Sequence, residues 1–181
     1  MKLIQTAIPD VVAVEPEVHG DNRGFFMETW HAERFREAGL DLAFVQDNHS
    51  GSVRNTVRGL HYQIERPQGK LIRAVSGEIF DVAVDLRRSS PTYGRWVGTI
   101  LSAANRLQLW IPEGFAHGYY VTSDGAEVVY KCTDFYFADH ERVLRWDDPD
   151  IGIAWPLGSH APLVSAKDAA GLSFQALPAF A

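Results

Sequence analysis

Residues 79–86 alternate strictly, with Phe80, Val82, Val84 and Leu86 on one face and Asp81, Ala83 and Asp85 on the other. A period of two cannot line one face of a helix, where neighbours on a face recur about every 3.6 residues. The segment reads as a strand buried on one side and polar on the other. Short runs of similar character recur at 3–8, 11–14, 25–30, 44–48, 57–63, 71–75, 96–101, 107–111, 118–122 and 126–137. Turn-forming residues punctuate many of them, as in Ser76-Gly77, Pro91-Thr92-Tyr93-Gly94, Pro112-Glu113-Gly114 and Ser123-Asp124-Gly125. This pattern predicts an all-β chain, folded as an antiparallel sandwich or barrel. Helix is confined to 31–38, which stops at Gly39, and to one turn after Ser165. Four prolines (149, 156, 162 and 178) predict an irregular tail from about residue 147. No repeat, low-complexity block or linker divides the chain, so residues 1–181 are expected to form one domain.

Composition narrows the function. With 46% apolar residues there is ample material for a core, and 17 Lys and Arg against 23 Asp and Glu leave a formal charge of −6. That balance argues against nucleic acid or a membrane surface as the partner. Cys132 is the one cysteine, which rules out an intrachain disulfide and any cysteine-cluster metal site. The opening residues turn polar before an apolar signal core could form, and no run nears the roughly 20 apolar residues of a membrane helix. A cytoplasmic setting is expected.

Several chemistries lack their motifs. No G-x-G-x-x-G follows a strand and no G-x-S-x-G elbow is present. Gly69-Lys70 resembles the end of a phosphate loop, but Leu71 stands where Ser or Thr belongs. His140-Glu141 opens like a zinc-protease helix, yet Leu144 takes the second histidine's place. Residue types suited to chemistry gather instead on a few strand-like segments. Gln46 and Asn48 share a face, as do His61 and Gln63; Lys70 opens the next run; His117 sits in a glycine-flanked turn; Tyr130 and Tyr136 share parity on the last long run; Lys167-Asp168 lies in the tail.

Each has an ordinary structural role against which it must be weighed. A strand histidine is by default a structural hydrogen-bonder, Tyr130 a core-edge residue, Lys70 a solvated strand end, Arg23 a turn closer beside Gly24, and Asp168 a helix cap. A metal reading is weakened because the position two after His61, where small β-barrels often carry a second histidine, holds Gln63, and a neutral amide is a poor transition-metal ligand. No metal site is therefore expected.

Five motifs carry a specific likeness: Phe44-Val45-Gln46-Asp47-Asn48-His49-Ser50, Val57-Arg58-Gly59-Leu60-His61, Gln68-Gly69-Lys70-Leu71, the run from Gln108 to Gly118, and Ser165-Ala166-Lys167-Asp168. Together they resemble the dTDP-4-dehydrorhamnose 3,5-epimerase family over nearly the whole chain. The resemblance implies a cupin-type jelly roll acting as a homodimer without metal or other cofactor. It implies a dTDP-4-keto-6-deoxy sugar substrate, inverted at C3 and C5 on either side of a C4 ketone. His61 matches the family's base, Asp168 its carboxylate partner, Tyr130 its acid and Lys70 the residue beside the C4 oxygen. Arg23 and Arg58 match pyrophosphate contacts, Tyr136 matches an aromatic stacked on thymine, and Glu28, Gln46, Asn48, His117, Glu141 and Lys167 match other binding positions.

These types suit the reaction. A proton on carbon beside a ketone is removable because its charge passes to oxygen as an enolate, so a base, an oxyanion stabiliser and an opposed acid suffice. One geometric conflict remains: Arg58 and His61 have opposite strand parity, so both face one ligand only if Gly59 bulges or Arg58 sits at the rim. The competing readings are a single-carbon epimerase or ketoisomerase of a related sugar, a metal-dependent cupin oxygenase, and a sugar-binding jelly roll without chemistry.

Overall fold

The computed structural model describes residues 1–159 and 161–181. In chain order the strands are β1 (Lys2–Gln5), β2 (Val12–Glu15), β3 (Val18–Asp21), β4 (Gly24–Met27), β5 (Gln46–Val53), β6 (Thr56–Gln63) and β7 (Lys70–Ser76). They continue as β8 (Glu78–Asp85), β9 (Trp96–Ser102), β10 (Gln108–Ile111), β11 (Phe115–Val121), β12 (Gly125–Cys132), β13 (Glu141–Val143) and β14 (Leu163–Val164). Helix α1 spans Ala32–Glu37 and α2 spans Ala166–Ala169. No helix among the described residues is long and apolar enough to cross a membrane.

Two sheets face each other as a jelly-roll sandwich. The first runs β1-β2-β10-β7-β12-β5; the second runs β13-β6-β11-β8-β9, with β14 alongside β6; β3 and β4 form a separate hairpin. All pairings are antiparallel except β14 with β6. Ala13, Ile72, Leu109, Ile111 and Val128 from the first sheet meet Ile79, Ala83, Leu101, Phe115 and Val121 from the second in one buried cluster. Burying such a contact removes apolar surface from water at about 25 cal/mol per Å², which holds the sheets together.

The reading of 79–86 needs correction. Phe80, Val82, Val84 and Leu86 do not face the sandwich interior; they pack outside it, under tail residues Ile151, Trp155, Phe174, Leu177 and Phe180. The side that reads as polar is the interior one, and Asp81 and Asp85 are fully buried there. Because the tail covers the outer face, β8 is buried on both sides. The tail itself is only partly irregular, since it supplies β14 and α2. A third cluster, with Trp30, Phe35, Phe44 and Trp110 around Leu71, seals the outside of the first sheet beneath α1.

Candidate active site

The apolar contact between the sheets gives way at one end to a cavity of about 340 Å³. From the first sheet, Gln46, Asn48 and Ser50 on β5, Lys70 on β7 and Tyr130 on β12 line it. From the second come Arg58, His61 and Gln63 on β6 and His117 and Tyr119 on β11. Gln68, Tyr136, Glu141 and Lys167 also line it. Base and acid candidates thus stand on opposite walls.

A bulge in β6 reconciles Arg58 with His61. His117 pairs with His61 and Tyr119 with Arg58, so Gly59 and Leu60 together oppose Gly118 alone. One extra residue flips the alternation and turns both side chains to the cavity. Arg58 is also exposed, so it occupies the rim as well. Only glycine fits at 59: its φ is +112°, and a Cβ there would lie 2.7 Å from both Gly118 Cα and the His117 carbonyl oxygen. The Gly59 N–H in turn donates to Asp168 Oδ2 at 3.2 Å.

Asp168 is delivered by local geometry. β14 runs parallel to β6 with Val164 opposite Val57, and the chain then turns into α2. Ser165, not Asp168, caps that helix, accepting the Asp168 N–H at 3.1 Å. The buried Asp168 carboxylate is therefore free to accept His61 Nε2–H at 2.7 Å. Burial pushes its carboxyl up, but bonds from His61, Gly59 and Ser165 and the nearby His61 charge outweigh burial and hold it below the usual carboxylate value. With Nε2–H committed to Asp168, Nδ1 carries the ring's lone pair and is the nitrogen able to take a proton.

Opposite, burial above all pushes the Tyr130 phenol up to about 12. Such a hydroxyl keeps its proton until a strongly basic centre forms. Lys70 is buried, not solvated, and its ammonium makes no hydrogen bond among the described residues. Desolvation pulls its ammonium down from the ordinary lysine value, opposed by Cys132, Asp81 and Glu141. His117 lies on β11 and not in a turn, and its Nε2 contacts Asp81 Oδ1 at 3.1 Å and Oδ2 at 2.9 Å.

The remaining contacts shape the rim. Arg58 donates to Ser52 Oγ at 2.8 Å and to the Gly51 carbonyl at 3.1 Å. Glu141 Oε2 accepts from Lys167 Nζ at 2.8 Å and from the Tyr136 hydroxyl at 3.2 Å. Tyr136 does not share a strand with Tyr130, because β12 ends at Cys132; Gln46 Oε1 holds its backbone N–H at 2.9 Å. Gln46 Nε2 also donates to Asn48 Oδ1 at 3.1 Å. Gln63 is a strut: its amide bonds the backbone of Arg66, Phe135 and Phe137. Among the described residues no three His, Cys, Asp or Glu side chains are grouped to hold a metal ion.

Two expected binding residues lie elsewhere. Arg23 is solvent-exposed on the β3-β4 hairpin, its guanidinium on Asp21 at 2.6 Å and its N–H on Asp21 Oδ1 at 2.8 Å, and Glu28 pairs with Arg34 at 2.8 Å. Within this chain neither lines the cavity: Arg23 sits in the turn of the separate β3-β4 hairpin and Glu28 directly after β4. Conversely, the site also takes in Ser50, Tyr119 and, through His117, the buried Asp81, none of which the sequence marks as a site residue. Tyr119 shares parity with His117, a signal available in the sequence; Asp81 falls on the side of β8 that alternation alone reads as polar.

The model of the family described as dTDP-4-dehydrorhamnose 3,5-epimerase matches residues 5–176. The chain belongs to the dTDP-4-dehydrorhamnose 3,5-epimerase family. It is 60% identical over 171 residues to the Neisseria gonorrhoeae protein of that name, a match covering 94% of this chain and 52% of that relative's length. It is 58% identical over 175 residues to the Pseudomonas aeruginosa protein of that name, covering 96% of each. Among solved structures, dTDP-6-deoxy-D-glucose-3,5-epimerase from Legionella pneumophila superposes with a TM-score of 0.95 at 48% identity, covering 98% of this chain and 94% of that one. That structure is a complex with dTDP-4-keto-L-rhamnose.

Proposed function

We propose that this protein converts dTDP-4-dehydro-6-deoxy-D-glucose to dTDP-4-dehydro-L-rhamnose, as an isomerase of the dTDP-rhamnose pathway that inverts C3 and C5. The observation that carries this reading is the His61–Asp168 pair facing Tyr130 across one cavity. His61 Nδ1 takes the proton from the carbon beside the ketone, and the electron pair moves to the C4 oxygen as an enolate. The Lys70 ammonium offsets that charge. Asp168 stabilises the imidazolium, and Tyr130 returns a proton from the opposite face, which inverts the centre. A second cycle treats the other carbon. Arg58 at the rim meets the pyrophosphate through its guanidinium fork, and Tyr136 stacks on the base.

The working unit is proposed to be a homodimer in the cytoplasm. Arg23 on the β3-β4 hairpin and Glu28 just after it match nucleotide-binding positions yet do not line this chain's cavity, and the same hairpin exposes Phe25 and Phe26. Large apolar residues left in water favour a protein contact. A second copy's hairpin laid across the cavity mouth would bury them and bring both side chains to the nucleotide. Light scattering that gave a monomer under assay conditions would remove this arrangement.

Turnover in D₂O tests the reaction itself. Deuterium at both C3 and C5 of the product is expected. Label at a single carbon would replace the proposal with a one-carbon epimerase.

A further inference from the structure

Between the end of β12 at Cys132 and the short turn at Ala138–His140 the chain has no strand or helix, yet this segment carries Tyr136 to the cavity rim. Without a ladder, its backbone groups need other partners. Two glutamines supply them on three consecutive residues. Gln63 Nε2 donates to the Phe135 carbonyl at 3.2 Å, Gln46 Oε1 accepts the Tyr136 N–H at 2.9 Å, and Gln63 Oε1 accepts the Phe137 N–H at 2.7 Å. Gln63 Nε2 also donates to the Arg66 carbonyl at 2.8 Å, so one amide, 3% exposed, ties the 64–69 loop to both neighbours of Tyr136. Only one orientation of that amide works, since a flip would set its oxygen against two carbonyl oxygens. Arg66 closes the same two segments from outside, with its fork on Asp134 at 2.9 and 2.7 Å and its guanidinium 4.2 Å over the Phe137 ring. At the far end of the Tyr136 ring, the hydroxyl donates to Glu141 Oε2 at 3.2 Å. Tyr136 is thus held at its backbone and at its tip, and is still 49% exposed.

We propose that Gln63 is a positioning residue for nucleotide recognition: with Arg66 it clasps the 133–137 segment so that the Tyr136 ring is set in place before the base arrives. The inference rests on the function proposed above, in which Tyr136 stacks on the base. A ring that is already ordered loses less freedom when a ligand binds, so more of the stacking energy appears as affinity. Gln63 lines the cavity, but its three bonds all go to the backbone of its own chain, and it acts through Tyr136. A buried amide is unfavourable unless it is bonded, and here both of its donors and its acceptor oxygen are used. The place where a second histidine would pair with His61 therefore has a task of its own, holding a recognition segment.

Calorimetric binding of dTDP and of inorganic pyrophosphate to the full chain tests this. Tyr136→Ala is expected to weaken dTDP about tenfold, the order of one base–aromatic stack. Gln63→Met keeps the side chain's length and removes all three bonds. It should weaken dTDP about fivefold while pyrophosphate affinity moves less than twofold, and KM should rise by a similar factor with kcat changed less than threefold. In the double variant the loss should equal that of Tyr136→Ala alone. A general loosening of the fold would weaken both ligands and add to the Tyr136→Ala loss, and either result overturns the proposal. If Gln63→Met fails to fold, Arg66→Ala, an exposed change that opens the clasp from outside, is read in the same way with about a threefold loss. The two readings fail separately. Unchanged dTDP affinity in Tyr136→Ala removes the stacking role and the clasp's purpose with it, whereas a Tyr136→Ala loss beside unchanged affinity in Gln63→Met removes the clasp alone.

Discussion

Asp81 and Asp85 lie four residues apart on one strand, on the same interior side, and both are fully buried. Their surroundings could hardly differ more. Asp85 accepts from Arg87 Nε at 2.9 Å and Nη2 at 2.7 Å, from Ser90 and Thr92 hydroxyls at 2.6 Å each, and from the Arg87 N–H at 2.9 Å. Burial raises its carboxyl, yet these donors outweigh burial and bring it to about 2. Asp81 has one donor, and burial leaves its carboxyl above the usual value. The saturated cluster ties the 85–95 turn, with a further bond from Arg87 to Asp10 at 2.7 Å. The sparse one holds His117, whose ring lines the cavity. A fully satisfied buried charge stabilises the fold; one left short of partners is useful where a ligand or a transition state supplies the rest.

The comparison breaks most sharply at His61. Replacing His61 with Ala removes the base, and a positioned general base contributes on the order of 10²–10⁴ in rate. A loss of about 1,000-fold in kcat is expected, with dTDP binding retained and the melting temperature within a few degrees of wild type. The Asp168 carboxylate keeps its Gly59 bond in that variant, which limits the structural damage. Steady-state kinetics beside calorimetric dTDP binding would check both halves. Near-wild-type turnover would take the base role from His61.

The contrast also marks what could be read before any coordinates. Most of the strands announced themselves because alternation and turn residues are local signals; α1 at Ala32–Glu37 falls within the helix expected at 31–38. The strands that escaped, β3 with His19, Gly20 and Asp21, β13 with Glu141, Arg142 and Val143, and the two-residue β14, are short elements whose pairing is decided by neighbours. The run 126–137 overshoots β12, which ends at Cys132, because Thr133 and Asp134 turn away to hold Gly69 and Arg66. The position of Asp81 was illegible for a tertiary reason: nothing local says that a proline-rich tail will cover the apolar face of β8 and push its aspartates inside. Arg23 and Glu28 show the converse limit, where a motif match names a residue without saying which copy of the chain it serves.

Asp85 gives the smaller effect and the opposite kind. Asp85→Asn removes an ionised acceptor from Arg87, Ser90 and Thr92 while leaving the cavity intact. A carboxyl lowered from 3.8 to about 2 corresponds to roughly 2 kcal/mol of folding stability at neutral pH, since one pH unit is worth about 1.4 kcal/mol. In a chain of this length that is a fall of about 4–8 °C in melting temperature. The sign follows from the lowered value: the contribution is complete above about pH 4 and disappears as pH falls toward 2, where the native carboxyl takes up its proton. Thermal scans from pH 7 to 3 should therefore show a constant gap between wild type and Asp85→Asn that narrows below pH 4, with kcat unchanged throughout the range of activity. A gap that held its full size at pH 3 would assign the loss to packing instead of charge, and the saturated cluster would no longer differ from the cavity in the way the hydrogen bonds say it does.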